Sequence, residues 1–200
     1  QRQRVALARC LVTQAPLILF DEPLANLDMH LRAHMVDIFR DIHHRVGATI
    51  VYVTHDQSEA LALSDRLCVM DDGRLVQTGT PEAVYRSPAT RHVAGFVGRG
   101  SIVTAALEDG RAMVGGAAVP VRGEAAGTTA SVLLRPEAIG LAETGVQARV
   151  TSAIYRGSHY EIRASLDGTD ETVVFDHPVM LAPGARIALS VRDAWIVPDA

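Results

Sequence analysis

Two acidic residues that follow a short apolar run form the pattern with the clearest chemical meaning. Asp21 and Glu22 come directly after residues 17–20, all of which are apolar. Such runs are typical of strands in parallel sheets, and ligands bind beyond the carboxyl ends of these strands. One carboxylate at that edge can hold a hydrated Mg²⁺ ion, while the other orients or deprotonates a water molecule. The dipeptide alone favours the alternative, a strand that ends in a solvated acidic turn.

A histidine occupies a similar position after a second apolar run. His55 follows residues 50–53 and Thr54. If the two runs form neighbouring parallel strands, His55 reaches the same sheet edge as Asp21 and Glu22. An imidazole there can donate to a γ-phosphate oxygen and stabilise charge during phosphoryl transfer. The alternative is a surface histidine at the start of a helix.

Alternating helices and strands are predicted around these residues, up to about residue 98. We expect three helices in this part of the chain. The first covers residues 1–13, the second runs from an Asp28 cap to a stop at Gly47, and the third covers residues 57–64. Residues 71–74 predict a hairpin, and Thr80-Pro81 and Ser87-Pro88 predict two helix starts, the second helix reaching about residue 96. The order strand, helix, strand, helix is typical of a doubly wound α/β domain, whose strands are buried on both faces.

The pattern changes near Gly98, where short apolar runs separated by Gly, Pro and Asp begin. We expect strands at residues 102–106, 117–121, 130–134, 146–155, 160–166, 172–175, 187–191 and 195–197. This spacing predicts a small all-β barrel or sandwich over residues 99–200, so the domain boundary is expected at about residue 98. No convergent polar cluster is apparent in this region.

Composition narrows the classes of function. The net charge of −4 gives no reason to expect nucleic acid as a partner. No apolar run approaches the roughly 18–20 residues that span a bilayer, and no signal peptide is recognised, so any membrane role is expected to come through a partner.

Cys10 and Cys68 lie in apolar segments without metal-ligand spacing, which predicts buried small side chains in a reducing compartment. The adjacent His43 and His44 suit chelation poorly, because neighbouring residues on a helix point in different directions.

Taken in order, these segments resemble the ATP-binding cassette (ABC) family. Residues 1–9 resemble the end of the signature loop and its helix, 17–23 the Walker B strand, 25–28 the D-loop, and 54–56 the switch histidine. Asp65-Arg66, Gly73-Arg74 and residues 79–82 continue the family pattern. The resemblance implies that residues 1–98 are the C-terminal part of an α/β P-loop ATPase domain.

The resemblance also implies roles for individual residues. Asp21 would hold Mg²⁺ through water, Glu22 would polarise the attacking water, and His55 would contact the γ-phosphate of ATP. Asp28 would act across a dimer interface and Gln1 would face the ATP of the opposite subunit, because such cassettes close head-to-tail around two ATP molecules.

Two departures from the family pattern affect these expectations. Ala25 stands where the family often has Ser, which removes a hydroxyl near the dimer interface. The chain begins at Gln1 within a helical pattern and has no Gly-rich loop with the Lys that cradles phosphates in P-loop enzymes. We therefore expect a fragment of a longer protein that is inactive alone.

The β region carries a second resemblance. Residues 134–139 (Leu-Arg-Pro-Glu-Ala-Ile) are similar to the Arg-Pro-Glu stretch of the TOBE domain of import-type cassettes, whose fold resembles an oligonucleotide-binding (OB) barrel. This implies the ATPase subunit of an importer on the cytoplasmic face of the membrane. Its partners would be a second ATPase subunit, permease subunits and, indirectly, a solute-binding protein. The branch takes up spermidine or putrescine, ferric iron, sulfate, aminoethylphosphonate or sugars, and residues 96–100 slightly favour the ferric-iron and phosphonate members.

Two other hypotheses stay open. One is a non-transport ABC ATPase of the repair or translation type, although no coiled-coil insertion or second cassette is apparent. The other is a fragment that acts only through its β region, as an oligomerisation module or a ligand sensor. The lack of an apparent polar cluster favours oligomerisation.

Overall fold

A computed structural model describes residues 15–25 and 27–198. They form two compact units: the described residues up to Cys68 with Thr78–Glu82, and Val69–Gln77 with the described residues from Ala83 onward. The predicted helix over residues 1–13, with Gln1 and Cys10, lies outside the described residues. Within the described ranges, no helix is both long and apolar enough to cross a membrane.

The first unit is built on a strand–helix–strand–helix order, as the sequence predicts. Strands β1 (Leu17–Asp21) and β2 (Thr49–Val53) pair in parallel, with Leu17 opposite Thr49 and Asp21 opposite Val53. Helix α1 (Met29–Val46) connects the two strands, and helix α2 (Gln57–Leu63) follows β2. Because the register aligns the strand ends, the residues that follow β1 and β2 emerge at one edge of the pair.

Helix α1 has the termini that the sequence predicts. The Asp28 carboxylate accepts a hydrogen bond from the Leu31 N–H at 2.9 Å, and Gly47 ends the helix in the left-handed region at φ 64°. Its apolar side packs Met35 and Phe39 into a core with Leu24. The Phe39 ring meets the ring of Phe20 edge-on at a centroid distance of 5.0 Å and that of Tyr52 at 5.6 Å. These contacts fix α1 against one face of the β1–β2 pair.

The opposite face of this pair differs from the prediction that both faces are buried. Leu17 and Leu19 of β1 are 58% and 67% exposed, and Val51 and Val53 of β2 are 46% and 47% exposed. Side chains alternate between the two faces of a strand, so α1 covers only alternate positions, and no described element covers the other positions. The wholly apolar runs therefore identified the strands correctly, whereas the prediction of two-sided burial is wrong for the described residues.

A hairpin and two short helices follow. Strands β3 (Leu67–Asp71) and β4 (Arg74–Gly79) form the predicted hairpin, and α3 (Pro81–Arg86) begins at the predicted proline. Helix α4 (Arg91–Phe96) begins later than expected, because the Thr90 side chain, rather than Ser87, accepts the capping hydrogen bond from the Val93 N–H. Cys68 is exposed, so the prediction that it is buried is wrong.

The second unit contains ten strands in two sheets. Five strands close a barrel in the order β14-β7-β6-β5-β8, and five form an antiparallel sheet in the order β12-β11-β10-β13-β9. The barrel strands are β5 (Ser101–Glu108), β6 (Arg111–Val114), β7 (Ala117–Arg122), β8 (Thr129–Leu134) and β14 (Ala194–Val197). The sheet strands are β9 (Ile139–Ala142), β10 (Val146–Tyr155), β11 (Tyr160–Leu166), β12 (Thr172–His177) and β13 (Arg186–Val191), and a 3₁₀ turn (Pro136–Ala138) lies between β8 and β9. The predicted strands are confirmed, and β6 and β9 are additional.

Barrel and sheet share one apolar core, which includes Val103 and Val132 of the barrel with Ile162 and Phe175 of the sheet. Strand β8 is buried on both faces, because alternate side chains enter this core while Leu133 packs with Ala94 of α4. The predicted fold class is thus confirmed for the described residues, which combine an α/β part with a C-terminal all-β barrel.

Candidate functional site

The edge beyond β1 and β2 brings together three of the predicted site residues. Asp21 ends β1 opposite Val53, and the Glu22 N–H donates to the Val53 carbonyl at 2.9 Å. His55 lies two residues after Val53. Glu22 adopts a positive φ of 45°, which is uncommon for a residue with a side chain and often occurs at functional sites.

The side chains of Glu22 and His55 are in direct contact. His55 Nδ1 lies 3.1 Å from Glu22 Oε1, and the two side chains are 70% and 49% exposed, respectively. An open carboxylate beside an imidazole can bind and orient a water molecule, while the outer ring nitrogen, Nε2, remains available for a phosphate oxygen. The contact thus places side by side a carboxylate and an imidazole, two groups that general acid–base chemistry uses.

Asp21 fits the expected magnesium chemistry only as part of a larger set of ligands. Its side chain is exposed at the same edge as Glu22. In residues 15–25 and 27–198, no group of three or more His, Cys, Asp or Glu side chains is arranged to hold a metal ion by protein ligands alone. A single carboxylate such as that of Asp21 can serve Mg²⁺ as one ligand, because this ion keeps several water ligands and binds through one or two carboxylates together with substrate phosphates.

Asp28 and Gln1 are not part of this contact. Asp28 is exposed, and its carboxylate caps the first turn of α1 through the Leu31 N–H. A helix cap alone explains this hydrogen bond, so its predicted role at a dimer interface stays a prediction. The role of Gln1 stays a prediction as well, because Gln1 lies outside the described residues.

A buried carboxylate next to the site was missed by sequence reasoning. Glu59 is only 3% exposed, and its Oε2 accepts hydrogen bonds from Tyr52 Oη at 2.8 Å and Thr54 Oγ1 at 2.9 Å. Burial, reinforced by the hydrogen bond and charge of Glu59, raises the pKa of the Tyr52 phenol far above its ordinary value. Asp56 and Glu59 have the spacing of a capping box, which was the available signal. Instead of reaching back to the cap N–H, Glu59 binds the two hydroxyls.

One arginine of α1 joins the segments on either side of the site. Arg32 donates to Asp56 Oδ2 at 2.9 Å and to the Leu27 carbonyl at 3.2 Å. Its Nε lies 3.7 Å from Glu59 Oε1, which is an ion-pair distance, and has no hydrogen-bond partner. The sequence prediction for α1 concerned its Asp28 cap and Gly47 stop, so it gave no indication of this polar link.

In the second unit, the Arg-Pro-Glu stretch places a buried guanidinium among backbone carbonyls. Arg135 is 7% exposed and donates to the carbonyls of Tyr85 at 2.7 Å, Val97 at 2.8 Å and Arg99 at 2.9 Å, with a longer bond to Ala94. Its guanidinium also lies 4.0 Å from the centroid of the Tyr85 ring. Because carbonyls near the ends of helices lack helical partners, Arg135 satisfies groups at the ends of α3 and α4. The motif therefore has a structural role within this unit.

A convergent polar cluster exists in the β region, so the expectation of none is wrong. Glu161 is 5% exposed and lies within 3.5 Å of Arg99, Arg156 and Arg163. Burial opposes ionisation of Glu161, but the hydrogen bonds and charges of these arginines outweigh burial and lower its pKa overall. The cluster escaped notice because its members lie up to 64 positions apart in the sequence, Arg99 to Arg163.

Comparison with known proteins relates both parts of the chain to import systems. Residues 132–197 match the TOBE domain family. The chain is 42% identical over 170 residues to the Fe(3+) ions import ATP-binding protein FbpC of Photobacterium profundum, covering 81% of this chain and 48% of that protein. It is 39% identical over 209 residues to the FbpC of Rhizobium etli, covering 98% of this chain and 58% of that protein.

A relative named for a different solute is nearly as similar. The spermidine/putrescine import ATP-binding protein PotA of Acetivibrio thermocellus is 38% identical over 197 residues, covering 96% of this chain and 55% of that protein. The chain spans about half the length of the curated relatives it matches. Over that span, the chain is similar to ATP-binding proteins of import systems, and its residues 132–197 match the TOBE domain family.

Proposed function

We propose that the full-length protein containing these residues is the ATP-hydrolysing subunit of an ABC import system. The contact between Glu22 and His55, at the carboxyl edge of two parallel strands, is the observation that carries the proposal. The names of the relatives, all import ATP-binding proteins, supply the biological setting. ATP binding would close a dimer of ATPase subunits, and hydrolysis would reopen it and reset the permease.

In the proposed mechanism, Glu22 accepts a hydrogen bond from the attacking water and acts as its general base while the water approaches the γ-phosphorus of ATP. His55 uses Nδ1 to hold the Glu22 carboxylate and, when protonated, donates from Nε2 to a γ-phosphate oxygen. Asp21 would hold Mg²⁺ through water, and the ion would neutralise charge on the phosphates. Asp28 and Gln1 would act at the interface between subunits.

The proposed partners follow from the same family. They are a second copy of the ATPase subunit, permease subunits in the membrane and, indirectly, a solute-binding protein, with the ATPase on the cytoplasmic face. The relatives are named for Fe(3+) ions and for spermidine/putrescine, so we propose a solute from one of these two classes. Uptake of radiolabelled Fe(3+) and spermidine by cells with and without the gene distinguishes the classes. Co-purification with ribosomes or DNA instead of permease subunits would favour a non-transport ATPase.

The catalytic part is tested by Glu22→Gln in the full-length protein. The substitution keeps the size of the side chain but removes the base, so we expect kcat for ATP to fall about 100-fold or more while ATP binding is retained. Glu137→Gln is the matched control, because Glu137 is an exposed residue of the second unit. Undiminished turnover in Glu22→Gln would refute the role given to Glu22.

A further inference from the structure

We propose that Arg32 and Glu59 are positioning residues for ATP hydrolysis, which hold the segment carrying His55 against the turn before α1. The proposal rests on the proposed function, because it assigns both residues a part in that reaction. Neither residue touches the open edge of the site. Both act through the backbone and side chains that flank His55.

Glu59 fixes the residue before His55. Its Oε2 accepts the Thr54 hydroxyl at 2.9 Å, and Thr54 Oγ1 in turn accepts the Asp56 N–H at 3.0 Å. The same carboxylate oxygen holds Tyr52 Oη at 2.8 Å, so a residue of β2 shares the anchor. Because Glu59 is 3% exposed, replacing its charged oxygen by the amide oxygen of Gln would weaken both hydrogen bonds, and bulk water could not take their place.

Asp56 fixes the residue after His55 and divides its two oxygens between two tasks. Oδ1 accepts the Ser58 N–H at 2.8 Å and the Glu59 N–H at 3.3 Å, which caps α2. Oδ2 accepts from Arg32 at 2.9 Å. Hydrogen bonds therefore hold the residues on both sides of His55. The His55 side chain itself is 70% exposed and contacts Glu22.

Arg32 extends this arrangement to the turn that precedes α1. One guanidinium nitrogen binds Asp56 and the other binds the Leu27 carbonyl at 3.2 Å. Leu27 directly precedes Asp28, the residue proposed to act between subunits. A single planar side chain thus connects that turn to the segment after β2. Lysine could keep the charge but could not make both contacts in this geometry.

The test compares Arg32→Lys and Glu59→Gln with the wild type in the full-length protein. Arg40→Lys is the matched control, because Arg40 lies on the same helix and forms an exposed ion pair with Asp37 at 3.6 Å. We expect kcat for ATP to fall about tenfold or more in both test variants, while KM for ATP stays within about twofold, since small displacements of catalytic groups have effects of this size. Arg40→Lys should match the wild type in both constants.

Glu22→Gln, measured in parallel, separates this proposal from the proposed function. If Glu22→Gln is inactive while Arg32→Lys and Glu59→Gln keep wild-type kcat, positioning is refuted and the ATPase function stands. If Glu22→Gln keeps its turnover, the proposed function fails. A rise in KM with unchanged kcat would also refute positioning, because it would indicate a general loss of nucleotide binding. If Glu59→Gln does not fold, Arg32→Lys decides the outcome.

Discussion

Replacement of Arg135 by methionine should loosen the segment of α3 and α4 in the second unit. Met keeps the unbranched apolar stem but removes the guanidinium that binds the carbonyls of Tyr85, Val97 and Arg99. Because Arg135 is only 7% exposed, water cannot fully replace these hydrogen bonds unless the segment opens locally. The substitution thus leaves buried carbonyls without a donor.

The expected cost comes from opposing contributions. Hydrogen bonds from charged donors contribute about 1.5–3 kcal/mol each, and the stacked Tyr85 ring adds about 0.5–2 kcal/mol. Against this stands the cost of burying the cation, which is also the main reason that the pKa of Arg135 lies below its ordinary value. Allowing for this offset, we expect a net loss of about 3 kcal/mol in the free energy of local opening, or about 150-fold faster amide exchange.

Hydrogen exchange followed by mass spectrometry measures this directly in the full-length protein. Peptides that cover residues 85–99 should exchange about 150-fold faster in Arg135→Met, while peptides from β10 and β11 change little. Arg149→Met is the matched control, because Arg149 is exposed and donates a single bond to the Gly184 carbonyl at 3.1 Å. Unchanged exchange at residues 85–99, or the same acceleration in both variants, would refute the structural role of Arg135.

Three further predictions concern single residues. Asp28→Ala should destabilise α1 by about 1 kcal/mol in urea unfolding. Asp28→Ser keeps a capping oxygen and should keep the stability, so a loss of ATPase activity in this variant would report the interface role. Glu161→Gln should cost about 2 kcal/mol at pH 7. The pKa of Glu161 is lowered in the folded state, so its stabilisation is present above the unfolded pKa and disappears as pH falls through the folded pKa. The difference in stability between wild type and variant should therefore shrink as the pH is lowered below the unfolded pKa, and a constant difference would contradict this. Gly145→Ala should cost about 2 kcal/mol or more in thermal unfolding, since its Cβ would clash with the Leu189 carbonyl oxygen at φ 142°, while Gly168→Ala, with open space around it, should cost less.

The sequence was sufficient for features that depend on local pattern. The apolar runs at β1 and β2, the Asp28 cap and Gly47 stop, and the acids and histidine after the strands each follow from neighbouring residues. The parallel register that aligns Asp21 with Val53 then brings Glu22 and His55 into contact. Strong local signals and a simple strand–helix–strand topology made this part of the site predictable.

Features that depend on distant partners were not predictable in this way. Glu59 has the spacing of a surface capping residue, and its burial requires Tyr52, Thr54 and Arg32 to surround it. Closure of the barrel needs β14 to pair in parallel with β7 and antiparallel with β8, across more than 60 residues of sequence. Strands β6 and β9 have only four residues each, too few for a clear alternation. No local pattern encodes these pairings.

A double-substitution cycle on Glu22 and His55 tests the central claim most directly. Glu22→Gln, His55→Ala and the double variant of the full-length protein are compared with the wild type in single-turnover hydrolysis of ATP. Because the two side chains touch and act on the same water and phosphate, we predict that the double variant is at most about threefold slower than the slower single variant. If the two single effects multiply in the double variant, Glu22 and His55 act independently, which would contradict the account.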